Sequence, residues 1–110
     1  MSDTLQRIDE MVKGHSVMLF MKGTPQFPQC GFSSRVAQAM QDINQPFAWC
    51  NVLVDQSVRA ELPQYQDWPT FPQLYLDGEL VGGCDITMDL YESGELKTMV
   101  EQAAKNFPED

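Results

Sequence analysis

Ser16-Val-Met-Leu-Phe-Met-Lys-Gly-Thr-Pro-Gln-Phe-Pro-Gln-Cys-Gly-Phe-Ser33 decides the architecture. It opens with an unbroken apolar run, Val17 to Met21, the pattern of a strand buried on both faces. Lys22 to Gln29 then carries two prolines and a glycine, which marks a loop. From Gly31 onward Phe32, Val36, Met40 and Ile43 recur at helical intervals, so Cys30 falls just before a helix or in its first turn. A buried strand, a loop, a thiol and a helix follow one another within thirty residues.

Outward from that unit, Asp3 to Lys13 places Leu5, Ile8 and Met11 or Val12 on one helical face, with Asp3 as the expected cap. Downstream, Phe47 to Val52 reads as a second strand. Ser57 to Tyr65 sets Val58, Leu62 and Tyr65 on one face, but Pro63 removes an amide donor there, so the expectation is a short, kinked or divided helix. Gln73–Leu76, the turn Asp77-Gly78 and Glu79–Val81 form a hairpin, because Asp-Gly supplies two positive-φ positions. Asp85 is expected to cap a helix over Ile86 to Ser93, closed by Gly94. Glu95 to Lys105 completes the chain with Leu96, Met99, Val100 and Ala103 inward. A strand–helix–strand unit followed by an antiparallel hairpin predicts an α/β fold, a four-stranded mixed sheet flanked by helices on both faces. That is the layout of the thioredoxin-like fold.

The 110 residues suffice for one compact domain and are too few for two, so residues 1–110 are read as a single domain. Seven Lys+Arg against sixteen Asp+Glu leave a net charge of -9, which repels phosphate backbones and anionic lipid heads. Neither nucleic acid nor membrane is therefore an expected partner. The first ten residues have no basic head followed by an apolar stretch, and the cysteines, at 30, 50 and 84, are odd in number with no C-x-x-C pair. The expectation is a cytoplasmic protein with free thiols, since a disulfide framework and a self-contained zinc site both lack their spacings.

Chemistry concentrates at Cys30. Unpaired amides and the positive end of a helix dipole stabilise a thiolate over a thiol, Lys22 adds a charge at the end of the strand, and the expected acidity is raised accordingly. Ser33 stands where a second cysteine would resolve a mixed disulfide, and its hydroxyl is a poor ligand for soft metal. The bland alternative, a small buried hydrophobe, suits Cys30 poorly beside a proline-rich loop. Pro72, in Trp68-Pro-Thr-Phe-Pro72, is compatible with a cis peptide that turns the Phe71 amide and carbonyl outward, where an extended peptide would pair with them; the competing reading is a loop stiffened by prolines. Gly82-Gly-Cys-Asp85 offers free amides and a carboxylate to a zwitterion, or simply a cap. Arg59 is either a carboxylate clamp or solvated, and Cys84 a second thiol or packing. Cys50 alternates with Trp49 and reads as core; His15 reads as an unpartnered loop residue.

Lys22-Gly-Thr-Pro25 through Cys30-Gly-Phe-Ser33, Trp68-Pro-Thr-Phe-Pro-Gln73 and Gly82-Gly-Cys-Asp-Ile86 together strongly resemble the single-domain bacterial monothiol, CGFS-type glutaredoxins. The resemblance runs from the first helix to about Ala104. It implies that Cys30 ligates iron, that Lys22 and Arg59 meet the carboxylate end of glutathione, that Phe71 before Pro72 pairs with its backbone, and that Cys84 and Asp85 hold its γ-glutamyl end. It further implies a 2Fe-2S cluster shared across a homodimer, an apo monomer, a role in cluster assembly and transfer, and BolA-type proteins and iron-sulfur apo-proteins as partners. Cys50 and Gln26-Phe27 depart from the family pattern. The rival functions are a glutathione-dependent thiol-disulfide oxidoreductase using Cys30 alone, since glutathione itself can resolve the mixed disulfide, and a docking module.

Overall fold

The computed structural model describes residues 2–107, in the order α1 (Asp3–Lys13), β1 (Val17–Met21), α2 (Gly31–Ile43), β2 (Ala48–Asn51), α3 (Gln56–Tyr65), β3 (Gln73–Leu76), β4 (Glu79–Gly82), α4 (Cys84–Ser93) and α5 (Glu95–Asn106). The sheet order is β2-β1-β3-β4. β1 pairs in parallel with β2, Phe20 opposite Cys50, and antiparallel with β3, Phe20 opposite Gln73. Asp77 and Gly78, at φ 52° and 83°, turn β3 into β4.

All five residues of β1 are buried, as an unbroken apolar run demands of an inner strand. Alternation along it divides the core. Val17, Leu19 and Met21 pack with Val36, Ala37 and Met40 of α2 and with Leu96 and Val100 of α5. Met18 and Phe20 pack with Ile8 and Val12 of α1 and with Val58 and Leu62 of α3. Helices thus cover both faces, in the α/β arrangement expected. Phe20 meets Tyr75 edge to face, ring centres 5.7 Å apart, and full burial of a side chain of that size contributes about 1.5–3 kcal/mol.

Three local expectations are corrected. Ser2, not Asp3, caps α1: its Oγ accepts the Leu5 amide at 3.0 Å, and Asp3 is the first helical residue. Of the alternatives for Pro63 the divided helix falls: α3 is a short helix of ten residues that runs unbroken through Pro63 to Tyr65. Val58 and Leu62, both fully buried, hold the helix to the sheet, a gain that the missing amide does not outweigh. Gly83 is the cap of α4, which begins at Cys84, so Asp85 lies inside the first turn and makes no capping bond. The second strand is also trimmed at both ends, to Ala48–Asn51.

Because β1 and β2 run parallel, both finish at one end of the sheet. The antiparallel β3 starts there and β4 finishes there, Leu74 pairing with Gly82. The loop after β1 with the start of α2, the starts of α3 and α4, and the residues before β3 therefore converge from four separate stretches of chain. Among the described residues no helix is long and apolar enough to cross a membrane.

Candidate functional site

The loop leaving β1 is closed on itself. Gln29 donates its amide to the Lys22 carbonyl at 2.9 Å, Gly23 bridges Pro28, and Thr24 and Phe27 exchange main-chain hydrogen bonds at 3.0 and 3.2 Å. Gly23 is obligatory: its φ is 95°, and a Cβ there would stand 2.6 Å from the Gln29 nitrogen and the Phe27 oxygen. Asn51, at the end of β2, accepts the Gly23 amide at 2.9 Å and the Leu53 amide at 3.0 Å. The loop is thereby tied to a strand 28 positions away, and it delivers Cys30 to the cap position of α2 in extended conformation (φ -149°, ψ 136°).

Cys30 is partly open to solvent. Its thiol is held below the ordinary range, first by the Ser33 amide at the start of α2, against which burial acts, and further by the Phe32 amide, the Lys22 charge and the Ser33 hydroxyl. This is the acidity expected of a helix-start thiolate. Ser33 is fully buried and does two things with one oxygen, since that oxygen also accepts the Lys22 amide at 3.1 Å. A side chain so engaged is not free to act as a resolving group or a metal ligand.

Cys84 is buried, and its thiol is pushed up chiefly by that burial, eased by Arg35 and raised again by Asp85 and Cys30. Of the two earlier readings the burial supports packing, and the start of α4 lies at the same end of the sheet as the start of α2. Phe71–Pro72 is a cis peptide, as anticipated. The ladder between β1 and β3 begins only at Gln73, which leaves the Phe71 main chain outside it. Gly83 sits against this strip so closely that a Cβ on it would lie 3.3 Å from the Pro72 carbonyl and from Trp68 Nε1. Asp85 is exposed beside it.

Arg59 is exposed in the first turn of α3, at the same end of the sheet, and among the described residues its guanidinium makes no hydrogen bond or ion pair. Cys50 is half-buried rather than enclosed; burial and Asp55 push its thiol up to about 11, which makes it inert. Phe27 (75% exposed), Phe32 (58%) and Ile86 (42%) are apolar side chains left open in the stretches that carry Cys30 and Cys84. Sequence reasoning missed three contributors. Asn51 was legible as an Asx turn at a strand end. The buried hydroxyl of Ser33 and the buried amide of Gln73 had no local signal.

The arrangement can do one kind of chemistry well: present a single sulfur of raised acidity at the end of the sheet that also carries an open main-chain edge and a helix start. Among the described residues no three His, Cys, Asp or Glu side chains come together to hold a metal ion, so any metal bound at Cys30 needs ligands from elsewhere.

Residues 17–81 match the family model for glutaredoxin. The chain is 44% identical to Glutaredoxin 4 of Pasteurella multocida (strain Pm70) over 108 residues, covering 98% of this chain and 99% of that protein. It is 53% identical to the chloroplastic monothiol glutaredoxin-S7 of Oryza sativa subsp. japonica over 96 residues, 87% of this chain and 57% of the other. The solution structure of reduced poplar apo GrxS14 superposes with a TM-score of 0.78 at 51% identity, covering 92% of this chain and 93% of that one. With the thioredoxin-like fold, the three motifs at one end of the sheet and a serine in place of the second cysteine, the chain belongs to the glutaredoxins, in their monothiol form.

Proposed function

We propose that this chain binds glutathione across Lys22, Arg59, Phe71, Cys84 and Asp85, and with it carries a 2Fe-2S cluster shared between two protomers for delivery to iron-sulfur apo-proteins. The observation that carries the reading is the solitary thiolate. Cys30 is the one acidic sulfur at the site, Ser33 is occupied by the Lys22 amide, and Cys84 is buried. A 2Fe-2S cluster takes four thiolates, so two Cys30 sulfurs across a two-fold axis leave two places for two glutathione sulfurs. Half the ligands are then exchangeable small molecules, which suits a cargo that must leave.

The tripeptide's features match the groups offered. Its extended backbone meets the Phe71 main chain outside the ladder, its carboxylates meet Lys22, Arg59 and the α4 start, and its ammonium meets Asp85. Phe27, Phe32 and Ile86 supply an apolar edge for a second copy or for a BolA-type partner to cover. Three free thiols suit a reducing, cytoplasmic setting, which belongs to the proposal. The test is anaerobic reconstitution with iron, sulfide and glutathione, followed by sizing and analysis of bound iron. Wild type is expected to turn coloured and dimeric, and Cys30→Ser to stay colourless and monomeric; a variant that keeps its iron removes Cys30 from the ligand set.

A second reading rests on the lowered acidity of Cys30. The thiolate attacks a protein–glutathione disulfide, takes the glutathionyl group and releases the protein thiolate. A free glutathione thiolate then attacks Cys30–S–SG, regenerating Cys30 and leaving as glutathione disulfide. Rapid turnover on a glutathionylated substrate by metal-free protein distinguishes it.

A further inference from the structure

Gln73 is the first residue of β3, lies opposite Phe20, and is completely buried. A buried carboxamide must place two donor hydrogens and an acceptor oxygen, and an unmet group costs about 1–3 kcal/mol. Here the needs are met by specific partners. Nε2 donates to the Trp68 carbonyl at 2.9 Å and to the Thr70 carbonyl at 3.2 Å, while Oε1 accepts the Tyr75 hydroxyl at 2.9 Å. The amide cannot be flipped without facing its oxygen toward two carbonyls, so the Tyr75 hydroxyl and the two carbonyls define its orientation together.

Those two carbonyls belong to the strip that precedes β3. Apart from Gln73, the strip has one main-chain tie, the Trp68 amide donating to the Pro63 carbonyl at 3.0 Å. Thr70 and Trp68 flank Pro69 and lead directly into Phe71, whose main chain stands outside the sheet. An apolar residue of the same length would fill the space and leave the strip without its inner anchor.

We propose that Gln73 is a positioning residue for the ligand groove: its carboxamide, aligned by Tyr75, clamps the Trp68 and Thr70 carbonyls and thereby sets where the Phe71 main chain meets the bound peptide. The inference rests on the reading of that groove as the glutathione site. Gln73 touches no ligand. It acts through the strip, and it is separate from the amides and Lys22 that set the acidity of Cys30.

The experiment uses the full chain with Gln73→Met, and Tyr75→Phe as a gentler variant that keeps both carbonyl bonds but frees the amide oxygen. Three quantities are read: hydrogen exchange of the Trp68 amide, which is bonded to the Pro63 carbonyl, glutathione affinity by calorimetry, and the pH profile of Cys30 alkylation without glutathione. Exchange of the Trp68 amide is expected to quicken at least tenfold in Gln73→Met, with glutathione binding about tenfold weaker and the Cys30 profile unmoved; Tyr75→Phe is expected to shift the same two readouts by less. Unchanged exchange overturns the clamp. Quickened exchange with undiminished affinity overturns its role in binding, and a Cys30 profile displaced as far as the affinity overturns the separation of the two devices. Were wild type to show no glutathione affinity, the ligand reading would fall, while the exchange data would still decide the clamp.

Discussion

Ser33→Ala isolates one oxygen atom at the site. It leaves the Ser33 and Phe32 amides in place, along with the Lys22 charge, and removes only the hydroxyl that reaches the Cys30 sulfur. A hydrogen bond to a charged group contributes about 1.5–3 kcal/mol when water is excluded. Cys30 is partly open, so water takes over most of that, and about 0.7 kcal/mol remains. The alkylation profile should move to higher pH, the rate on its acid side falling about threefold. The same substitution strands the part-buried Lys22 amide, which loses its 3.1 Å acceptor, and should lower the unfolding free energy by about 1 kcal/mol. Lys22→Met is the control: it removes the charge and keeps the amide, so the thiol weakens as an acid while the urea midpoint barely moves. Iodoacetamide rates between pH 5 and 9 and urea melts of both variants are the assays. An alkylation midpoint in Ser33→Ala identical to wild type would refute the account and leave the two amides and Lys22 as the whole cause.

Other outcomes follow from the same geometry. At pH 7 one thiol per chain should alkylate fast, with Cys84 and Cys50 far behind, because burial pushes both of those up, Cys50 to about 11; mass spectrometry after a short pulse counts them. Asp55 caps α3, its carboxylate accepting the Val58 amide at 3.3 Å and both Arg7 nitrogens at 2.6 and 3.0 Å. The Arg7 hydrogen bond, chiefly, holds the Asp55 carboxyl below its usual range, with burial opposing and the Val58 amide assisting. Since the folded value is the lower one, this contribution is complete above the unfolded carboxylate pKa and is lost as the pH falls through the folded value. Asp55→Ala should therefore cost about 1–2 kcal/mol at pH 7, cap and exposed ion pair together, and much less at pH 3; equal losses in urea melts at the two pH values would refute the assignment.

Much of the architecture was legible because it is written at short range. A five-residue apolar run becomes an inner strand wherever it is placed, Asp-Gly makes a tight turn from its own dihedral preferences, and spacing at three and four residues declares helix faces. Cys30 could be put at a helix start, and the three motifs sorted into one family, on the same local grounds. Errors fell where a neighbour in the chain was a plausible but unused partner. Asp3 and Asp85 are good caps by type, yet Ser2 and Gly83 hold those places. Pro63 is a helix breaker by type, yet buried Val58 and Leu62 keep α3 whole.

What only the folded chain decides is which groups meet once four segments reach one end of the sheet. Residue identity says that Ser33 and Gln73 are polar; it does not say that both are enclosed, or that one holds the Lys22 amide and the other the Trp68 and Thr70 carbonyls. Polar side chains acquire such partners because burial removes water and leaves each donor to whatever acceptor the packing brings near. The pattern of apolar residues dictates the layers, while desolvation inside them selects the hydrogen bonds that shape the site.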